Sequence, residues 1–144
     1  MCKVGDIILV EHFNNEFGKG VERHPFIIIS TKQRFINMIP FDIMAVLLSS
    51  FKNEDHKTNK LTYEGNIEIK RNDGVKKDSF IKAKDLYCFD SKNTKFIKVG
   101  TVDVELFLKL QKEISYFIKN GKVKIIASNL EICYNNDVDN DLVL

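Results

Sequence analysis

Four apolar residues follow one another without interruption in Phe26-Ile27-Ile28-Ile29, and this run limits the possible folds more than any other stretch. Successive side chains of a strand point to opposite faces of a sheet, so a short branched and aromatic run predicts a strand buried on both faces. The rest of the fold must therefore supply apolar cover on both sides of this strand.

Two groups capable of chemistry stand directly before the apolar run. Arg23 carries a permanent positive charge, and His24 can gain or lose a proton near neutral pH. Pro25 favours an extended backbone at His24. We expect an entry loop that holds both side chains at the start of a rigid strand. An ordinary charged loop is the alternative interpretation.

Length and composition predict one globular domain in a reducing compartment. The chain has 144 residues, of which 44% are hydrophobic and 29% are charged, as is common for a single domain. No apolar run approaches the ~20 residues of a membrane span, and the N-terminal residues lack a signal peptide's apolar segment. The 3 cysteines are widely spaced, which argues against a disulfide framework or a zinc site. We expect a cytoplasmic protein with no metal, cofactor or membrane partner.

The charges are unevenly distributed along the chain. Residues 1–124 contain all 22 Lys and Arg and carry a net charge of +6, whereas residues 125–144 carry −4. A mildly basic body suits a polyanionic partner, although many basic surfaces are only solvated.

Alternating and apolar runs predict further short strands. They lie at residues 7–10, 42–48, 66–70, 79–81, 86–89 and 96–99, with another candidate at 122–127. Residues 14–22 and 51–60 are expected to be exposed loops because they are polar, and residues 31–41 are expected to be irregular because of Pro40.

One helix is predicted between Thr101, as its N-cap, and the stop signal Asn120-Gly121. Its apolar residues recur at three- and four-residue steps, which predicts one buried face. Short strands followed by a terminal helix predict a mainly β fold, a small antiparallel barrel closed by a helix. We expect a domain of residues 1–121 and an acidic, flexible C-terminal extension of residues 122–144.

Four segments in order resemble the MazF/PemK family of toxins, the ribonuclease half of bacterial toxin–antitoxin pairs. They are residues 5–10 (GDIILV), 18–30 (GKGVERHPFIIIS), 43–50 (IMAVLLSS) and 77–81 (KDSFI), followed by Gly100 and the helix. The resemblance implies an SH3-like barrel of MazF/PemK/CcdB type with a C-terminal helix, and a homodimer. It also implies sequence-specific, metal-independent cleavage of single-stranded RNA, blocked by a cognate antitoxin.

Two positions depart from the family pattern. The family usually has Arg directly before Pro, whereas His24 intervenes here between Arg23 and Pro25. Either Arg23 fills the family position shifted by one, or His24 takes part of its role. Ser49 stands where the family often has Thr and keeps the hydroxyl.

The residue types suit metal-free RNA cleavage, in which the 2′-hydroxyl attacks the neighbouring phosphate. Arg23 can stabilise the anionic transition state, His24 can move a proton, and Ser49 can donate a hydrogen bond to phosphate. Because neighbours on an extended chain alternate faces, only one of Arg23 and His24 is expected to face the site. The candidates for holding the RNA, by stacking or by contacts to its backbone, are Phe17, Lys19, Ser50, Lys52 and Lys57.

Two other functions are compatible with the same pattern. One is a CcdB-like, non-catalytic inhibitor of a protein such as DNA gyrase, and the other is a non-catalytic barrel that binds nucleic acid. A paired Arg23 and Ser49 favours the nuclease, because an inhibitor needs no paired phosphate ligands.

Overall fold

The computed structural model describes residues 2–130, in which nine strands and two helices form a mainly β fold. The first five strands are β1 (Asp6–Asn14), β2 (Gly20–Ser30), β3 (Arg34–Ile36), β4 (Ile39–Phe41) and β5 (Ile43–Ser50). The remaining elements are α1 (Glu54–Leu61), β6 (Asn66–Ile69), β7 (Ser79–Phe89), β8 (Phe96–Thr101), α2 (Val104–Lys119) and β9 (Lys124–Ala127). Of the helices in this range, neither is long and apolar enough to cross a membrane.

Seven strands form one sheet in the order β6-β7-β5-β2-β1-β8, with β9 paired to the C-terminal half of β7. All neighbours along the main path are antiparallel, and β9 runs parallel to β7. The short strands β3 and β4 form a separate hairpin. The predicted mainly β barrel class with a C-terminal helix is confirmed.

The central strand β2 is buried on both faces, as its apolar run predicts. Phe26, Ile27 and Ile28 are all fully inaccessible to solvent. Phe26 and Ile28 belong to a cluster that contains the rings of Phe13, Tyr87 and Phe89, which we call the aromatic cluster. Ile27 points to the opposite face and joins the cluster that packs beneath α2, which we call the helix-facing cluster.

Helix α2 begins two residues later than predicted. Thr101 pairs with Asp6 as the last residue of β8, so its backbone is part of the sheet. Asp103 is the N-cap instead, and its carboxylate accepts hydrogen bonds from the backbone N–H groups of Glu105 and Leu106. The buried face of α2 is formed by Leu110, Ile114 and Phe117. The predicted C-terminal stop at Asn120-Gly121 is confirmed.

The predicted entry loop before the apolar run is instead part of β2. His24 pairs with Val10 and Pro25 with Leu9, because the β1–β2 hairpin continues to Asn14 and Gly20. The sequence pattern did not predict this longer hairpin because its residues are mostly polar, and main-chain pairing does not require apolar side chains.

Three further predictions were wrong because polar side chains hide a regular backbone. Residues 31–41 hold the β3–β4 hairpin, where a two-stranded ribbon can accept Pro40 since one side of each strand is unpaired. Residues 51–60 are not a loop but contain most of α1, which has no buried residue and is capped by Asn53. The two strands predicted at 79–81 and 86–89 are one strand, β7, with a register shift opposite Val46 and Leu47.

The ordered body extends past residue 121. Strand β9 joins the sheet, Ser128 Oγ accepts a hydrogen bond of 2.7 Å from the Asn14 N–H, and Leu130 is buried. The flexibility predicted for the end of the acidic extension concerns residues 131–144, which lie outside the described residues.

The two ends of the sheet, β6 and β8, are joined by the segments that follow them. The Asp103 N–H donates a 2.9 Å hydrogen bond to the Asp73 carbonyl, in a 3₁₀ turn directly after β6. The next residue, Gly74, has φ +116, and a Cβ there would lie 2.2 Å from the Thr101 carbonyl oxygen. Only glycine fits this contact without moving one end of the sheet.

Replacing Gly74 by Ala therefore tests how much this closure contributes to stability. We expect Gly74→Ala to lower the free energy of unfolding by about 3 kcal/mol or more, from left-handed strain and a backbone clash together. Gly18→Ala is the matched control, because Gly18 also has positive φ but nothing lies within 4 Å of its added Cβ. It should cost about 1–2 kcal/mol. If urea unfolding shows that both variants lose the same free energy of unfolding, the contact of Gly74 with Thr101 does not stabilise the fold.

Candidate functional site

One cavity of about 470 Å³ is lined by four of the eight residues that the sequence singled out. Strands β2 and β5 are antiparallel neighbours with Phe26 opposite Leu47, so the residues before Phe26 lie beside those after Leu47. The walls that they contribute to this cavity, which we call the first cavity, are Arg23, His24, Pro25, Leu48, Ser49 and Ser50. A third wall comes from residues 74–77, which link β6 to β7.

Arg23 lies at the rim of the first cavity in an unusual backbone conformation. Its φ is +43, a left-handed value inside a strand, which costs a residue other than glycine about 1–3 kcal/mol. Its side chain is 63% exposed, and its Nε lies 3.7 Å from Glu11 Oε1. An exposed pair of this length is weak, so the guanidinium can exchange Glu11 for an anionic ligand.

His24 turns its ring away from Arg23 and toward the aromatic cluster. The ring packs edge-on against Phe13 and Phe26, with centroid distances of 6.2 and 6.5 Å. Its Nδ1 is buried and has no hydrogen-bond partner among residues 2–130. Loss of water around the imidazolium lowers the pKa of His24, and repulsion from Lys82 lowers it further. The ring is therefore neutral at pH 7.

The two serines of β5 divide between the same two faces. Leu47 belongs to the aromatic cluster and Leu48 to the helix-facing cluster. Continuing this alternation places Ser49 on the side of His24 and Ser50 on the side of Arg23. Ser49 is half-buried and Ser50 is exposed. The first cavity thus has two possible pairs of polar groups, Arg23 with Ser50 and His24 with Ser49.

A second cavity of about 440 Å³ shares Lys76 and Lys77 with the first. It is also lined by Phe51, Lys57 and Arg71. Lys76, Lys77 and Arg71 were not among the residues predicted from the sequence to bind RNA, although Lys77 opens the last family-like segment. The available signal was two adjacent lysines after a turn glycine, which is common on surfaces that bind nothing.

The remaining predicted RNA-binding residues occupy separate places. Phe17 is 77% exposed in the β1–β2 turn, which also carries Lys19. In the described part of the chain, neither cavity is lined by Phe17, Lys19 or Lys52. Lys57 lines the second cavity, but its Nζ is paired with Glu68 Oε2 at 3.0 Å.

The chemistry open to the first cavity is stabilisation of negative charge. It combines a guanidinium, two lysine ammonium groups, the three hydroxyls of Ser49, Ser50 and Ser79, and an apolar floor that includes Ile7 and Leu9. Within residues 2–130, no three His, Cys, Asp or Glu side chains are grouped so that they could hold a metal ion.

The lowered pKa of His24 predicts a specific loss of stability in acid. Below about pH 6.5 the unfolded chain binds a proton that the folded ring resists, so stability is complete above that pH and falls as the pH drops. His24→Gln cannot bind this proton and should show a smaller fall in melting temperature between neutral and mildly acidic buffer.

His12→Gln is the matched control, because the His12 side chain is 71% exposed. It should keep the acid dependence of the wild type. An unchanged acid dependence in His24→Gln would contradict the burial of the His24 ring.

Comparison with known proteins places the sequence of this chain in a family. No curated protein gives a significant match to the chain. Residues 3–118 match the family described as "PemK-like, MazF-like toxin of type II toxin-antitoxin system". This span contains every residue that lines the first cavity, and it confirms the resemblance seen in the sequence. Because the match covers most of the 144 residues, the chain belongs to the PemK-like, MazF-like toxin family of type II toxin–antitoxin systems.

Proposed function

We propose that this protein is the toxin component of a type II toxin–antitoxin pair and a metal-independent, sequence-specific endoribonuclease acting on single-stranded RNA. One observation carries the proposal. Arg23 on β2 and the serines at the end of β5 line one cavity, opposite Lys76 and Lys77. Family membership supports the same reading.

The reaction transfers the phosphate within the RNA chain. The 2′-hydroxyl loses its proton to a base, its oxygen bonds to phosphorus, and the bond from phosphorus to the 5′-oxygen breaks. The leaving oxygen takes up a proton. The products are a 2′,3′-cyclic phosphate and a 5′-hydroxyl. Negative charge builds on the non-bridging oxygens during this step, so fixed cationic donors lower the barrier.

Arg23 provides the main charge stabilisation in this proposal. A guanidinium stays protonated and can donate two parallel hydrogen bonds to phosphate oxygens. The strained backbone at Arg23 supports a functional role, since such strain clusters at active sites. Removal of one such donor typically costs about 100- to 1,000-fold in rate.

A serine hydroxyl donates a further hydrogen bond to the phosphate. Alternation along β5 supports Ser50, which lies on the side of Arg23, while Ser49 extends the polar wall toward His24. His24 acts chiefly in packing, because its ring lies against Phe13 and Phe26.

Protein partners of the toxin are a cognate antitoxin and a second copy of the chain. Apolar side chains on the outer side of α2 support such association, because Val104 is 71% exposed and Leu108 and Tyr116 are more than half exposed. A cytoplasmic location agrees with an RNA substrate.

Incubation of the purified protein with a long single-stranded RNA in excess EDTA tests the proposed activity. We expect cleavage to persist, because positive charge comes from Arg23, Lys76 and Lys77. The new ends should be 2′,3′-cyclic phosphate or 3′-phosphate together with 5′-hydroxyl. Products with 3′-hydroxyl and 5′-phosphate ends would refute the mechanism. Intact RNA under all conditions would favour the non-catalytic inhibitor.

The two serines give matched variants in the same assay. Ser50→Ala should reduce the cleavage rate about tenfold or more, as expected for one lost hydrogen bond to a charged group. Ser49→Ala removes the same hydroxyl one residue away and should have the smaller effect. A larger loss for Ser49→Ala would place the reacting phosphate on the side of His24.

The mass of the protein in solution tests the proposed dimer. Light scattering at micromolar concentration should give about twice the 16.7 kDa chain mass. Leu108→Glu on the exposed side of α2 should lower this mass if α2 lies in the interface. A monomer mass for the wild type would rule out the dimer.

A further inference from the structure

Resting on the proposed endonuclease function, we propose that the second cavity binds a nucleotide that flanks the scissile phosphate in the same RNA strand. In this arrangement the first cavity holds the reacting phosphate. Lys76 and Lys77 contact the RNA backbone between the two cavities. The second cavity, with Arg71 and Phe51, receives the neighbouring phosphate and base.

The two cavities are neighbours on one surface. Both are lined by Lys76 and Lys77, so the segment between the 3₁₀ turn and β7 forms the ridge between them. Each volume, about 470 and 440 Å³, is within the ~300–1,000 Å³ typical of small-ligand sites. A nucleotide chain can therefore pass from one cavity to the other over two lysine side chains.

The charges of the second cavity favour an anion. Arg71, Lys76 and Lys77 are exposed, and none forms an ion pair within the described part of the chain. The carboxylate of Asp78 already accepts a 3.1 Å hydrogen bond from the backbone N–H of Arg71. Of the lining cations, Lys57 alone is neutralised, by Glu68. Three free cations thus exceed the two lining carboxylates, Glu54 and Asp78.

The aromatic wall of the second cavity favours a base. The Phe51 ring stacks on the buried Phe80 ring, with centroids 5.2 Å apart and planes 27° apart. Phe80 thus holds Phe51 in place, while Phe51 itself remains only half-buried. An aromatic ring held beside free cations is the combination that single-stranded nucleic acids use, because an unpaired base can stack while its phosphate is neutralised. A paired duplex would keep its bases from this wall.

Binding of two uncleavable RNAs of different length tests this subsite. The probes are fluorescein-labelled, mixed-sequence single strands with 2′-O-methyl groups, one a dinucleotide with a single phosphate and one of about twelve nucleotides. When the one phosphate of the dinucleotide occupies the first cavity, no second phosphate is left to contact Arg71. Arg71→Ala should weaken binding of the long strand about tenfold and of the short strand less than about twofold. It should also reduce the salt dependence of long-strand binding by about one phosphate contact.

Two further variants separate the contribution of local charge from that of ring stacking. Lys70→Ala removes an equal charge from the exposed residue next to Arg71. Because Lys70 lines neither cavity, this variant should bind both strands with unchanged affinity. Phe51→Leu keeps apolar bulk over Phe80 but removes the stacking ring. It should weaken the long strand about fivefold or more without changing the salt dependence.

Equal losses for both strands in Arg71→Ala, or no loss, would overturn the subsite. A loss in Lys70→Ala as large as that in Arg71→Ala would also overturn it, because diffuse charge alone would then explain binding. The unmodified versions of both strands distinguish the two proposals. If the wild type binds the long strand with the predicted dependence on Arg71 but cleaves neither RNA, the endonuclease function fails and the subsite stands.

Discussion

The burial of β2 on both faces is the constraint on which the rest of the structure depends. Phe26 and Ile28 must meet the aromatic cluster while Ile27 meets the helix-facing cluster, so a shift of one residue would exchange the two sets. This fixed register extends toward the start of the strand. It places Arg23 and His24 on opposite sides, and the proposed mechanism therefore gives them different roles.

Two local features connect this framework to the candidate site. The residues before and after Arg23, Glu22 and His24, are both paired with β1. This pairing holds the left-handed backbone at Arg23 in place, because surrounding structure can sustain a strained residue. The close contact of Gly74 with Thr101 holds the ends of the sheet together. It also positions Lys76 and Lys77, which follow Gly74 within a few residues, against the β2 and β5 walls.

The sequence predicted what depends on apolar pattern and missed what depends on main-chain pairing. The run after Pro25 identified the central strand, and helical periodicity identified the buried face of α2. The family-like segments predicted that Arg23 and Ser49 share a site, and both line the first cavity, but Ser50 rather than Ser49 lies on the side of Arg23. Polar elements such as α1 were missed because no core residue marks them. The second cavity was missed because its lining residues come from three separate stretches of the chain, 51–57, 71 and 76–78, which only the fold brings together.

Single-turnover RNA cleavage between about pH 5 and pH 8 tests whether Arg23 rather than His24 is the residue on which the reaction depends. The wild type, Arg23→Ala, Arg23→Lys and His24→Gln are compared, with folding checked by circular dichroism. We expect Arg23→Ala to lose most activity and Arg23→Lys to recover little, because lysine lacks the two-pronged donor. Folded His24→Gln should cleave at nearly the wild-type rate. A folded His24→Gln as inactive as Arg23→Ala, together with loss of a wild-type acid limb in that variant, would show that His24 and not Arg23 carries the chemistry.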